Sequence, residues 1–413
     1  MLKNETTASG RITLRHAKVI LPDRLLADAR IVVENGRIVS IGTDDGSEPE
    51  AGDIVDVAGA FIAPGYVDIH VHGGDGADFM DGTQSAVATA CRAHLRHGTT
   101  TIYPTTTTGS PEQIHAMIRA CRGVAQSSDS ATLPHIPGIH LYGPYFAPDK
   151  CGCHEKSGRR DPSAEEFESY FETGFVGIAT CAAELPGAVA FYEAARRRKC
   201  FVTCGHSNAS WAEMQSAFEA GMRHVDHFWC AMSSVPSLRS RLGTPMQASM
   251  EQYVLMNREM STEVIADGVH LAPELLEFAA RMIGPDRLCL VTDASRAMDC
   301  PPGKYKFGHF ETGSDFINDG RVGLAPEGGL ASSVQGMDHM VRTMAASTTL
   351  PLWDIVRMAT LTPARLTGTD GEIGSIEAGK KADLVILSLE LEVRSVILAG
   401  SVIDLGRRHF GIA

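Results

Sequence analysis

Two kinds of apolar pattern divide the chain. Both ends carry short stretches in which β-branched residues alternate or cluster. Arg11-Ile-Thr-Leu, Ala29-Arg-Ile-Val-Val-Glu and Arg37-Ile-Val-Ser-Ile lie near the start, and Lys381-Ala-Asp-Leu-Val-Ile-Leu, Val393-Arg-Ser-Val-Ile-Leu and Gly400-Ser-Val-Ile-Asp near the end. A period of two marks strands, and Glu34-Asn-Gly is a hairpin signal between two of them. The two β-rich ends predict one small β-sandwich built from both termini, residues 1–63 with 370–413.

Between them the pattern alternates strand with helix. Strands are predicted at 66–72, 99–104, 138–143, 176–183, 201–206, 224–228, 263–267 and 287–293. Amphipathic helices are predicted at 85–97, 111–124, 186–199 and 212–220. Eight strands in alternation with helices predict an α/β fold, a (β/α)8 TIM-like barrel over 64–369. An open doubly wound sheet lacks support, because no glycine-rich dinucleotide or P-loop motif follows an early strand.

Composition adjusts this picture only slightly. The 413 residues exceed one barrel, and 44% hydrophobic with 21% charged residues is ordinary globular usage. A net charge of −13 argues against nucleic acid or an anionic membrane surface as partner. It leaves an anionic small molecule open, since local cations and helix N-termini can hold a phosphate. The N-terminal stretch is polar and no run approaches the ~18 apolar residues of a membrane span. The ten cysteines have no zinc-ribbon spacing, and Cys151-Gly-Cys153 is the only tight pair. A cytoplasmic protein with reduced thiols is expected.

Candidate chemistry collects at the ends of the predicted strands. Ala63-Pro-Gly-Tyr-Val-Asp-Ile-His70-Val-His72 closes the first. Residues i and i+2 of a strand share a face, so His70 and His72 project together, where two imidazoles can share a metal. Alone, a His-x-His pair is weak evidence. His206, His227 and Asp293 close later strands, at the end where such barrels place their active sites. Imidazoles with one carboxylate make a nitrogen/oxygen set suited to zinc or iron.

The Pro-Gly-Tyr-Val-Asp-x-His-x-His opening, the split β-region, the strand-end histidines and the late Asp resemble the amidohydrolase superfamily. Gly98-Thr-Thr-Thr, Gly138-Ile-His-Leu-Tyr-Gly-Pro-Tyr-Phe, Gly205-His-Ser-Asn, Ala231-Met-Ser, Ala266-Asp-Gly-Val-His270 and Val291-Thr-Asp-Ala follow in order. So do Thr360-Leu-Thr-Pro-Ala-Arg and Gly374-Ser-Ile-Glu-Ala-Gly-Lys-Lys-Ala-Asp-Leu-Val. Together they are similar to the N-acetylglucosamine-6-phosphate deacetylases along nearly the whole chain. The resemblance implies a metal-dependent hydrolase that removes an acetyl group from an N-acetyl hexosamine phosphate, and a homodimer. It gives His70, His72, His206 and His227 as metal ligands or close neighbours. Asp293 would move the proton from the attacking water to the departing amine. His154, Ala231 and His270 match positions that line the substrate, and Arg239 or Arg241 lies near the phosphate-binding Arg.

Three positions depart from that family. Tyr142 stands where it has a metal-binding Glu, Cys151-Gly-Cys-His154 where it has Lys-Gly-Ala-His, and Cys230 where it has an Asn that touches substrate. A phenol, with a pKa near 10, is a poor bridge between two ions. One divalent ion per chain is therefore expected, held by His70, His72, His206 and Asp293, with His227 beside it as a donor to water or substrate. Two other readings stay open: a single-metal deaminase of the same superfamily, and a sugar-binding paralogue with impaired catalysis.

Overall fold

The structure is a computed structural model that describes residues 10–47 and 52–405. The outermost residues of the expected β-region, 1–9 and 406–413, lie outside the described residues.

Eight parallel strands line the centre of the molecule. Six form one sheet in chain order: Ile139–Leu141, Val176–Thr180, Phe201–Cys204, His224–Val225, Ser261–Ile265 and Leu288–Val291. Tyr66–Val71 and Thr99–Pro104 pair with each other. Parallel bridges connect this pair to the next segment, Thr105 to His140 within the strand Ile139–Leu141 and Thr101 to His135 ahead of it. At the other seam, the Asp293 N–H donates to the His70 carbonyl at 2.9 Å. The strands Thr99–Pro104 and Leu288–Val291 are buried at every residue, as expected of parallel strands covered on both faces.

The expected outer helices are present as Gln84–Arg96, Pro111–Ala125, Ala188–Arg197 and Trp211–Ala220. Their starts follow from local chemistry. Ser110 and Gln113 form a capping box around Pro111 at the first turn, and Ser210 does the same with Glu213. In Pro111–Ala125 the buried residues Ile114, Met117, Ile118, Cys121 and Val124 make one stripe at helical spacing.

The strands of both termini join in one sheet. Its order is Ser401–Ile403, Val393–Leu398, Leu384–Leu387, Phe61–Pro64, Arg11–Ile20, Leu25–Glu34, Arg37–Thr43, with Asp53–Asp56 also paired to Arg11–Ile20. Register shifts around Ala17 bend the long strand, so its first half pairs with Asp53–Asp56 and its second with Phe61–Pro64. Leu384 and Ile386 face the small core with Ile12, Leu14 and Ile31. Val385 and Leu387 face the other way, against Leu95 and Val356 of barrel helices. Gly65 links this sheet to the first barrel strand. A Cβ there would lie 2.0 Å from Thr100 Oγ1, so only glycine permits the approach.

One element was not foreseen. After the last barrel strand the chain forms a four-stranded antiparallel sheet, Gly303–Phe307, Ser314–Asn318, Val322–Leu324 and Leu330–Ser333. Buried Arg296 anchors it through the carbonyls of Lys306 and Gly308, and pairs with Asp81 at 2.9 Å.

Candidate metal centre and active site

His70, His72 and Asp293 converge where the first and last barrel strands meet. The Asp293 carboxylate lies 3.1 Å from His72 Nε2 and 3.6 Å from His70 Nε2, and all three residues are buried. Each imidazole has its other nitrogen engaged. His70 Nδ1 is 2.5 Å from the Glu263 carboxylate and His72 Nδ1 is 3.3 Å from the Thr105 carbonyl. Both partners are acceptors, so both Nδ1 atoms carry hydrogen, and each Nε2 has a lone pair to offer an ion that displaces any proton held there. Neither Nε2 has a hydrogen-bond partner. Two imidazole lone pairs and a carboxylate turned on one another are satisfied by a cation, and this donor set fits zinc or iron. The surrounding field agrees. Burial opposes charge on His70, yet the Glu263 and Asp293 carboxylates outweigh it and push its pKa up to about 9. An environment that draws a proton draws a divalent ion by the same attraction.

Asp68 sets the separation of these groups. Its carboxylate takes the Thr292 hydroxyl at 2.5 Å and the Thr292 N–H at 3.3 Å, across the seam between first and last strands. Burial pushes its pKa up to about 7.

His206 and His227 form a second pair. Their Nε2 atoms lie 3.2 Å apart, while His206 Nδ1 donates to the Lys150 carbonyl at 2.5 Å and His227 Nδ1 to the Cys230 carbonyl at 3.1 Å. Burial lowers the pKa of both, that of His227 to about 4, so both rings are neutral. The expected four-ligand set is therefore divided: three members meet, and His206 sits with His227. The expected donor role of His227 also changes, because its Nε2 carries the lone pair and accepts from the Tyr142 hydroxyl at 2.5 Å. Burial, then the nearby Asp226, Asp293 and Glu263 carboxylates, hold the Tyr142 phenol well above its usual range, so it stays a neutral donor.

The backbone aims these groups. His206, His227 and Asp293 have φ of 45°, 25° and 44°, in the left-handed region that non-glycine residues avoid. Each lies two residues beyond the end of a barrel strand, and such strain persists where the surrounding structure fixes a site. Gly205 makes room below, since a Cβ there would meet Asp226 Oδ2 at 2.5 Å.

The predicted substrate-lining residues are spread around this mouth. His154 is buried between the rings of His206 (4.8 Å), Phe146 (4.8 Å) and Phe307 (5.0 Å), with Nδ1 unpartnered. His270 is held by Asp267 at 2.7 Å. Ala231 has φ 47° in the loop after His227. Arg239 is exposed on the helix Val235–Leu242, and Arg241 pairs with Glu213. Burial, then the Asp293 and Asp267 carboxylates, push the Cys230 thiol up to about 12. Glu184 is not among the converging His70, His72 and Asp293 groups; it takes the Ser207 hydroxyl at 2.5 Å and the Asn208 N–H, fixing the loop that carries His206.

Comparison with known proteins agrees with this geometry. The amidohydrolase family model matches residues 61–403. The N-acetylglucosamine-6-phosphate deacetylase of Vibrio furnissii is 30% identical, with 91% of each chain covered. The chain belongs to the N-acetylglucosamine-6-phosphate deacetylase family of amidohydrolases. Another relative, the N-acetylgalactosamine-6-phosphate deacetylase of Escherichia coli O157:H7, is 28% identical over 94% of this chain and 98% of its own. A mutant Mycobacterium smegmatis N-acetyl-D-glucosamine-6-phosphate deacetylase, solved in complex with N-acetyl-D-glucosamine-6-phosphate, superposes with a TM-score of 0.84. It is 29% identical, covering 95% of this chain and 100% of that one.

Within this amidohydrolase, sequence reasoning missed Glu263, which is buried and touches both histidine groups. Its signal was present: a carboxylate inside Ser261-Thr-Glu-Val-Ile, an otherwise uncharged buried strand. It also missed Asp226, which with His224 and Glu263 forms a second buried cluster of potential ligands beneath the mouth.

Proposed function

We propose that the protein hydrolyses the N-acetyl amide of an N-acetylhexosamine 6-phosphate, N-acetylglucosamine 6-phosphate being the preferred substrate. The observation that carries this reading is the convergence of the His70 and His72 lone pairs on the Asp293 carboxylate at the barrel mouth, in a chain of this family. One divalent ion, zinc or iron, would be held by these three residues. Bound there, it would polarise the acetyl carbonyl and make water a competent nucleophile near neutral pH.

The chain's own groups do the rest. Burial opposes charge on Asp293, yet the His70 and His72 rings outweigh it and hold its pKa well below the usual range, so it is a carboxylate at working pH. Asp293 takes a proton from the attacking water and returns it to the nitrogen as the C–N bond breaks, releasing acetate and the amine. His154, with its unpartnered Nδ1, and His270, fixed by Asp267, orient the sugar. Ala231 lines the loop beside them, and the exposed guanidinium of Arg239 meets the phosphate. This reading places the enzyme in the cytoplasm as a homodimer and divides the chain at 63/64 and 369/370; the family resemblance supports these points.

The test is acetate release from N-acetylglucosamine 6-phosphate, N-acetylgalactosamine 6-phosphate and the two unphosphorylated sugars. The phosphorylated sugars should react far faster, because phosphate binding energy can be used to orient the amide. Equal rates with and without phosphate would remove the phosphate from the reading. Ammonia from nucleobases in place of acetate would move the enzyme to the deaminases.

A further inference from the structure

Glu263 occupies a position that neither the ligand set nor the proton path uses. It lies in the strand Ser261–Ile265, is 1% exposed, and reaches across the barrel interior. Its Oε1 receives two donors, the ring Nδ1–H of His70 at 2.5 Å and the backbone N–H of His227 at 3.1 Å. Its Oε2 faces His224 Nε2 at 3.3 Å. One carboxylate oxygen thus joins the two histidine groups: the set of His70, His72 and Asp293, and the pair of His206 and His227 capped by Tyr142.

We propose that Glu263 is a positioning residue for the metal centre, standing in from below for the carboxylate that Tyr142 does not supply. This rests on the metal reading given above. Three consequences follow from the geometry. An acceptor on Nδ1 fixes His70 in the tautomer whose Nε2 lone pair faces Asp293. A carboxylate behind a ligating imidazole makes that imidazole a stronger donor. Two neutral histidines and one Asp leave a divalent ion with an uncompensated positive charge, and a buried carboxylate one ring away balances it. The backbone bond to His227 holds that residue in its strained conformation at φ 25°, so the same oxygen keeps the Tyr142-bound imidazole at its distance from His70.

Zinc affinity, measured by chelator competition, tests this with the full-length chain. Glu263→Gln keeps the shape and removes the charge, and should weaken zinc about 10–100-fold, the range for such outer partners. Glu263→Asp keeps the charge but shortens the reach, and should weaken it less. If Glu263→Gln fails to fold cooperatively, Glu263→Asp alone decides. Nitrogen NMR of labelled histidine in the zinc-free protein, at a pH above the His70 pKa so that the ring is neutral, gives a readout that a purely structural residue would not move: His70 should be the Nδ1–H form in the parent and a mixture in Glu263→Leu, which has no acceptor. Parent-like zinc affinity in the decisive variant, or an unchanged His70 tautomer in Glu263→Leu, overturns the proposal. His72→Ala is the control for the underlying reading. If it binds zinc as tightly as the parent, the metal assignment falls and this proposal with it. If it loses zinc while the Glu263 variants do not, only the role of Glu263 falls.

Discussion

The Tyr142 hydroxyl donates to His227 Nε2 across 2.5 Å, and so occupies the lone pair that His227 would offer an ion. Charge makes the substitution consequential: a neutral phenol does not offset the repulsion between two cations as a carboxylate does. Elemental analysis should find one ion per chain. That ion should be lost in His70→Ala and in His72→Ala, and kept in His227→Ala with activity lost. Two ions per active chain would reject this arrangement.

Restoring the carboxylate should reverse the count. Tyr142→Glu places an anion beside two imidazole lone pairs 3.2 Å apart, and stoichiometry should rise toward two. Tyr142→Phe removes the donor without adding charge and should stay at one. Identical metal content in Tyr142→Glu and Tyr142→Phe would show that residue 142 does not control the second position.

Asp293→Asn keeps the side-chain shape and removes the base. Turnover should fall by roughly 100-fold or more. Acetate release is measured with metal content determined on the same sample, because Asp293 is also one of the proposed ligands. Parent-like turnover with unchanged metal would take Asp293 out of the proton path.

A pH-dependent component of stability lies away from the site. His97 donates to Asp338 at 2.7 Å and to Asp299 at 2.9 Å, tying the helix Gln84–Arg96 to the helix Met337–Ser347. Burial opposes its charge, but the two carboxylates, themselves held by Arg96 and Arg342, push its pKa from 6.5 up to about 9. A pKa raised by folding stabilises fully below the unfolded value and is lost as pH rises through the folded one. The thermal midpoint should therefore decline between pH 6.5 and 9, and His97→Gln should flatten that decline. An unchanged slope in the variant would show that His97 is not its source.

The barrel and the cluster of His70, His72 and Asp293 were legible in the sequence because periodicity sets which side chains share a face. Strand ends were read too long: the predicted 176–183 stops at Thr180, since the chain leaves the sheet as soon as it must turn into the mouth. The placement of His206 was not legible. Its left-handed φ and the Lys150 carbonyl that orients it depend on loops distant in sequence. Glu263 escaped notice because a single charge within an apolar strand reveals no partner until the opposite wall is in place. The four-stranded sheet after Asp293 was missed as well, and with it Phe307, which packs at 4.9 Å from His72.

The sheet shared by both ends bears on how the enzyme is made. Phe61–Pro64 pairs along its whole length with Leu384–Leu387, and Gly65 carries it directly into the strand that bears His70 and runs up to His72. During synthesis the emerging N-terminal strands have no partner for that edge until residue 384 has left the ribosome. His70 and His72 thus follow a strand whose partner is far later in the chain, and long-range pairing of this kind is slow to form. A nascent chain stalled before residue 384 should therefore lack this pairing and hold zinc more weakly than the released chain.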